Sequence, residues 1–248
     1  MDAAEQSALN TLWVWLWADQ ATAIPSALLL TLGSYALALR LYHLTGRPAL
    51  LHPAISAMAV IMMVLIVGHV DYARYFDGAA FIHFLLGPAT VSLAVPLYRN
   101  LGHIRRMGWA LPAALILGAT LAVASAWTLG TWLGLSPVSL HSLLPKSVTT
   151  PIAMGVAASL GGSPSLAAGL VLVTGVLGCL FAPLTYRLMK IRDPAVQGFA
   201  LGVAAHGFGT AKAFEISPLA GAFASLGLGL TGLLTAMALP WLARWIGL

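Results

Sequence analysis

One stretch of the sequence, residues 141–151, sets a lysine among hydroxyl side chains and between two prolines. Pro145 and Pro151 each remove a backbone donor and clash with the preceding turn, so a continuous lipid-facing helix is excluded here. A lysine held among hydroxyls is the kind of place at which a carboxylate binds, through charge and hydrogen bonds. The alternative is that Lys146 snorkels to the lipid headgroups. The predicted substrate-binding residues are Lys146, Ser147, Thr149, Thr150 and Pro151.

A second candidate segment, residues 205–215, carries a histidine, two glycines and a charged pair. Lys212 and Glu215 are three residues apart and can face each other on a helix. In one interpretation Lys212 is a second anion contact, Glu215 orients it, and His206 titrates near neutral pH. In the other, the pair is mutually neutralising and His206 is a core residue bonded to a carbonyl. The predicted substrate-binding residues here are His206, Gly209, Thr210, Lys212 and Glu215.

A third candidate is a helix kinked by Pro88 and Pro96, which bracket Thr90 and Ser92. Prolines and small residues in a membrane helix can line a cavity, and they can also serve packing alone. Both interpretations remain open from the sequence. We include Thr90 and Ser92 among the predicted substrate-binding residues.

The composition requires that these segments are positioned by helices in a membrane. The chain has 248 residues, of which 60% are hydrophobic and 8% charged, against about 25% charged in an ordinary soluble domain. The mean hydropathy is +0.91. At about 20 residues a span, the length allows roughly seven or eight passes. We predict an all-α polytopic membrane protein, in which the net charge of +5 reflects topology signals rather than a nucleic-acid partner.

Charge-free stretches predict where the spans lie, because a charge at the bilayer centre is costly. They are residues 20–39, 48–68, 78–98, 107–145, 147–186, 194–211 and 216–243. We predict one transmembrane domain over residues 1–248: an interfacial segment 1–24 with Trp13, Trp15 and Trp17, four spans in 25–133, broken helices and an intervening span in 137–215, and a last span in 216–248.

The basic residues constrain how the middle of the chain crosses. Arg40 with Arg47, the arginines of residues 99–106, and the basic residues of 187–192 should all face the cytoplasm. Three full crossings between the second and third clusters would violate this rule. We therefore predict that residues 137–160 form a discontinuous or re-entrant segment. Such segments are the usual place for the binding site of a transporter.

A weak internal repeat with an offset of 57 residues points to the same architecture. Pro88 precedes Pro145 by this offset, and Pro183 precedes Pro240 by it. If each unit makes one net crossing, successive units are inverted. The pattern therefore predicts inverted repeats.

The sequence offers little for catalysis or for a metal. Its seven histidines are not paired at helical spacing, and Cys179 is the single cysteine. The glycines of residues 227–232 match a dinucleotide fingerprint but no strand precedes them. We expect no enzymatic activity, no cofactor and no metal. The acidic N-terminus also lacks the basic region of a signal peptide, so we expect no cleaved leader.

Three motifs resemble the LrgB/CidB family of membrane proteins, which includes the membrane domain of the plastid glycolate/glycerate transporter. They read LLGPATVSLAVPLY in residues 85–98, SLLPKSVTTPIA in 142–153 and HGFGTAKA in 206–213. Family members often carry arginine in the last motif where this chain has Lys212, which keeps the charge but loses bidentate carboxylate geometry. The resemblance covers about residues 25–245.

The resemblance implies two functions. Some family members are similar to carriers of pyruvate, glycolate or glycerate, whereas bacterial members are described as holin- or antiholin-like modulators of murein hydrolase export and autolysis. A smaller LrgA/CidA-like membrane protein is an implied partner. We predict a secondary transporter of small monocarboxylates in the bacterial inner membrane, in contact with lipid and as a homo-oligomer, with the antiholin-like role as the alternative.

Overall fold

The computed structural model describes residues 15–46, 51–92 and 94–245, and this part of the chain is helical without a strand. An all-α fold is therefore confirmed. The chain divides into two compact units, Met1–Ser92 and Leu93–Leu248. The prediction of a single transmembrane domain stays a prediction.

The first unit contains four described helices. They are α1 (Gln20–Leu44), α2 (Pro53–Val67), α3 (Tyr72–Gly78) and α4 (Ala80–Ser92). Asp19 caps α1, and hydrogen bonds from the backbone and hydroxyl of Thr22 hold the pKa of its carboxyl below the usual value. Of the predicted interfacial tryptophans, Trp15 is exposed, Trp17 is buried against Ala23, and Trp13 lies outside the described residues.

The second unit contains the remaining helices. They are α5 (Ala94–Arg99), α6 (Leu101–Met107), α7 (Ala110–Trp132), α8 (Pro137–Leu143), α9 (Thr150–Ser159), α10 (Pro164–Leu188), α11 (Pro194–Ile216) and α12 (Pro218–Trp245). Proline opens α8, α10, α11 and α12, where its missing N–H is not needed by the helix.

Four helices in the described part of the chain are long and apolar enough to cross a membrane. They are Ala21–Leu44, Ala110–Trp132, Pro164–Leu188 and Pro218–Trp245. The seven or eight segments expected from charge-free stretches are not confirmed. Length explains the difference: residues 48–68 yield a helix of only 15 residues, and residues 137–160 and 194–211 belong to segments that reverse direction.

The first of these segments, here called the first hairpin, comprises α8, a turn at residues 144–149, and α9. The backbone N–H of Ser163 donates to Ser142 Oγ at 2.8 Å. Residues 21 apart in one continuous helix would lie about 30 Å from each other. The chain therefore enters through α8, turns around Lys146, and returns through α9 to the end at which it entered.

The second hairpin is α11, which has the bounds of one helix but reverses within it. Ala205 and His206 have non-helical backbone angles, and the φ of His206 is +42°. A Cβ on Gly209 would collide with the carbonyl oxygen of Leu201, although eight residues of continuous helix would separate them by about 12 Å. The segment after His206 therefore runs back along the segment before it.

Two basic clusters of the second unit, Arg105 with Arg106 and the basic residues of 187–192, lie at one end, here called the basic end. Met107 and Leu111, next to Arg105 and Arg106, belong to the same apolar cluster as Ala195 and Phe199, which follow the basic residues of 187–192. Consequently α7 begins and α10 finishes at this end, and the second hairpin enters from it. The first hairpin enters from the opposite end, because it follows the C-terminus of α7 directly.

Candidate functional site

A cavity of about 720 Å³ lies within the second unit, between α7, α11 and the turn of the first hairpin. Met107 at the end of α6 lines it, and along α7 its lining residues recur every three or four positions from Ala110 to Ser125, which is one face of the helix. From α11 they run from Val196 to Ala204. Lys146, Ser147 and Thr174 complete the lining. The cavity therefore extends from the basic end to the level at which the two hairpins turn.

Lys146 is the charged residue among those that line the cavity in the described part of the chain. Its Nζ donates a hydrogen bond of 2.8 Å to the carbonyl oxygen of Ala122. Ala122 is ten residues from the end of α7 at Trp132, or about 15 Å along the axis. The ammonium group thus lies deep in the bundle rather than at its edge, which is the opposite of a snorkelling lysine.

The second unit gives Lys146 no acidic partner. Residues 93–248 contain two carboxylate side chains, those of Asp193 and Glu215. Asp193 accepts a hydrogen bond from the backbone N–H of Ala195 at the start of α11. Glu215 pairs with Lys212 at 2.7 Å. Among the described residues of this unit, Lys146 therefore has no carboxylate side chain as a partner.

Three hydroxyl side chains line the cavity together with Lys146. Ser125 Oγ donates to the carbonyl of Ala122 at 3.2 Å, the same oxygen that accepts from Lys146. Thr174 Oγ1 donates to the carbonyl of Leu170 at 2.8 Å. Ser147 is buried, and its Oγ has no hydrogen-bond partner within the described residues. Lys146 and Ser147 can thus donate into the cavity, whereas Ser125 and Thr174 can accept.

Ser125 and Thr174 were not predicted from the sequence. A hydroxyl within an apolar helix commonly bonds the carbonyl three or four residues earlier, so its presence carries no signal of a site. Only its position indicates that Ser125 belongs to the site: it lies one helical turn from Ala122, on the face of α7 that the first hairpin contacts. That face is known only once the hairpin is placed.

The turn of the second hairpin packs against the middle of α10. His206 Nε2 lies 2.9 Å from the carbonyl oxygen of Val171, and its ring fits against Gly175, where a Cβ would come within 2.9 Å of it. Gly178 makes room for Ala205 in the same way. Thr210 Oγ1 donates to the carbonyl of His206 at 2.9 Å. These polar groups are satisfied by protein and do not line the cavity.

Lys212 and Glu215 form an ion pair on the returning half of the second hairpin. Because this half runs back toward the basic end, the pair lies away from Lys146, and neither residue lines the cavity. The two interpretations of this segment differ in what the pair does. The geometry matches mutual neutralisation, with His206 bonded to a carbonyl.

The other predicted site residues lie outside the cavity lining. Thr149 and Thr150 are half-buried at the start of α9, and Pro151 is exposed beside them. Gly209 packs against Leu201 within the second hairpin. Ser92 is exposed in the first unit, and the side chain of Thr90 lies outside the described residues. The structure therefore brings Lys146 and Ser147 together at the cavity.

In the described part of the chain no three histidine, cysteine or acidic residues are grouped as a metal site would need. Cys179 is buried in α10. Among the described residues, the polar side chains that line the cavity are one ammonium group and three hydroxyls.

Comparison with known proteins places the chain among membrane proteins. Residues 31–245 match the model of the LrgB-like family. The uncharacterized proteins YwbG and YxaC of Bacillus subtilis are each 35% identical to it, over 77% and 88% of this chain and 84% and 94% of their own length. A protein named antiholin-like protein LrgB, from Bacillus mycoides, is 29% identical over 79% of this chain and 85% of its own. No solved structure matches.

Proposed function

The chain belongs to the LrgB-like family, and from this premise we propose that it is a multi-pass carrier of small hydroxy- or keto-monocarboxylates in the bacterial inner membrane. The proposal depends most on one observation. Lys146 places an ammonium group at the inner part of a largely apolar cavity, where it donates a hydrogen bond to a backbone carbonyl. A partly buried charge without a counter-ion is unfavourable, and a bound carboxylate would supply that counter-ion.

In the proposed complex, the substrate carboxylate lies between Lys146 Nζ and the hydroxyl of Ser147. Both groups are donors, and the hydrogen bond to an ammonium group is among the stronger ones in proteins. Apart from Ser125 and Thr174, the remainder of the lining is apolar. A volume of about 720 Å³ admits a small acid with its hydration and excludes a folded protein.

The proposed transport cycle is alternating access around this site. Two helix–hairpin pairs, α7 with the first hairpin and α10 with the second, enter from opposite ends, which supports an inverted-repeat arrangement. The cavity reaches Lys146 from the basic end, and basic residues favour the cytoplasmic side. The substrate site would thus be open to the cytoplasm here and would open to the other side after movement of the hairpins.

The second candidate function is the antiholin-like one, which the names of relatives favour. In that case the chain would regulate autolysis by assembling with copies of itself or with a small LrgA/CidA-like membrane protein. The cavity is too small to pass a murein hydrolase, so this role would depend on surfaces between subunits. It requires neither Lys146 nor solute selectivity.

Uptake into liposomes containing the purified protein separates the two functions. We expect saturable uptake of radiolabelled pyruvate, glycolate or glycerate. Lys146→Gln should lower it about 10- to 100-fold, because the hydrogen bond from a charged group to the substrate carboxylate is lost. Lys190→Gln is the matched control, since Lys190 is exposed after α10, and it should retain full uptake.

The carrier is rejected if Lys146→Gln takes up the acids as fast as the unchanged protein. Equal passage of the acids and an uncharged solute of the same size would instead support the antiholin-like role. Correct insertion of each variant is checked by size-exclusion chromatography before reconstitution.

A further inference from the structure

We propose that Ser125 and Thr174 make the cavity selective for 2-hydroxy acids over the corresponding 2-keto acids. This inference rests on the proposed carrier function and names the substrate class that the same site prefers. Both residues line the cavity on helices that the sequence motifs do not include, α7 and α10.

The direction of the hydrogen bonds carries the argument. The hydroxyl hydrogen of Ser125 is used by the carbonyl of Ala122, and that of Thr174 by the carbonyl of Leu170. A hydroxyl has one hydrogen to donate and two lone pairs to accept with. What both residues present to the cavity is therefore acceptor capacity.

Lys146 and Ser125 share the carbonyl oxygen of Ala122 as acceptor, at 2.8 and 3.2 Å. Their polar atoms are therefore neighbours at one place in the cavity. In the proposed complex, a carboxylate held by Lys146 would bring the substituent on its second carbon toward Ser125. Lys146 thus offers a donor to the carboxylate, and Ser125 offers an acceptor to the substituent on the second carbon of the acid.

A 2-hydroxy acid fits this pair of groups, and a 2-keto acid fits less well. The hydroxyl on the second carbon donates to Ser125 while the carboxylate accepts from Lys146. A keto oxygen can only accept, so Ser125 must rotate and give up its bond to Ala122 before it can donate. One neutral hydrogen bond corresponds to a preference of about threefold to tenfold.

Competition measurements with two matched pairs, lactate with pyruvate and glycolate with glyoxylate, test this selectivity in liposomes containing the full protein. Each hydroxy acid should compete about threefold to tenfold better than its keto partner. Ser125→Ala should bring that ratio close to one by weakening hydroxy-acid binding while leaving keto-acid binding unchanged. Thr174→Val should lower the ratio less, because no contact ties Thr174 to Lys146.

Two control variants remove similar hydroxyls from the same helices outside the cavity. Thr128 donates to Ala124 in α7, and Thr185 donates to Phe181 in α10. Thr128→Val and Thr185→Val should keep the selectivity of the unchanged protein. Retained selectivity in Ser125→Ala would overturn the inference, as would Lys146-dependent uptake that treats both members of each pair equally. Uptake that does not depend on Lys146 would instead overturn the carrier function itself.

Discussion

The two hairpins of the second unit make the same kind of reversal but satisfy their polar groups differently. In the second hairpin, His206 contacts the carbonyl of Val171, and Lys212 pairs with Glu215. In the first hairpin, Lys146 bonds one backbone carbonyl, and Ser147 has no partner within the described residues. The polar groups of the second hairpin are satisfied by other groups of the protein, whereas the first hairpin has donors that face the cavity.

This contrast assigns different tasks to the two segments. Polar groups that the protein satisfies contribute to folding and hold the second hairpin against α10. Donors that it leaves unsatisfied cost stability, and such costs are typical of binding sites. In the proposed carrier the first hairpin recognises the ligand, and the second forms the opposite wall of the cavity through residues such as Val203 and Ala204.

The largest expected effect on stability concerns the close packing of the second hairpin. In Gly209→Ala, the new Cβ meets the carbonyl oxygen of Leu201, which is backbone and cannot move aside. We expect a loss of about 3 kcal/mol or a failure to fold, as in other overpacked sites. Thermal unfolding in detergent measures it.

The control for this variant lies in the first hairpin. Gly155 in α9 has open space where its Cβ would be, so Gly155→Ala should unfold at the same temperature as the unchanged protein or higher, because alanine favours the helix. Equal unfolding temperatures for Gly209→Ala and Gly155→Ala would contradict the described reversal of the second hairpin.

A smaller effect, of opposite sign in the two hairpins, is expected from removing their lysines. Lys212→Met leaves Glu215 without its ion-pair partner; the two side chains are 17% and 28% exposed, and such pairs contribute about 1 kcal/mol or less. The unfolding temperature should fall by about 2–4 °C. Lys146→Met removes a partly buried ammonium group that has no carboxylate partner among the described residues of its unit, so the temperature should stay the same or rise.

Both lysine variants are compared in the same detergent without added acid, so that no ligand stabilises the unchanged protein. Destabilisation of Lys146→Met as strong as that of Lys212→Met would show that Lys146 has a structural role, and the contrast between the hairpins would be lost.

The first hairpin was predictable from the sequence, and the second was not. Pro145 and Pro151 exclude a continuous helix, and the basic clusters require an even number of crossings between them. The reversal of α11 has no proline within it, and His206 takes a left-handed conformation that glycine would adopt more readily. In the sequence, Gly207 and Gly209 indicate a loosened helix, but no residue near them indicates that the chain reverses direction.

The cavity was predictable only in part for a similar reason. Lys146 and Ser147 stand out by residue type within an apolar segment. Ser125 and Thr174 belong to long apolar helices. That they line the cavity becomes visible only in the folded structure, where Lys146 of the first hairpin bonds Ala122. Thr149 and Thr150 belong to the same motif as Lys146, but they lie at the start of α9 and do not line the cavity. Local composition locates a site along the chain, whereas tertiary packing decides which neighbours line it.

Chemical restoration of one ammonium group tests the carrier most directly. In a Cys179→Ala background, which removes the single native cysteine, Lys146→Cys should lose saturable acid uptake. Alkylation with 2-bromoethylamine then builds a lysine-like side chain at that position, and uptake should return, whereas alkylation with iodoacetamide, which adds no charge, should leave it absent. Complete alkylation without recovery, recovery with the neutral reagent, or full activity of the unmodified Lys146→Cys protein would contradict the account.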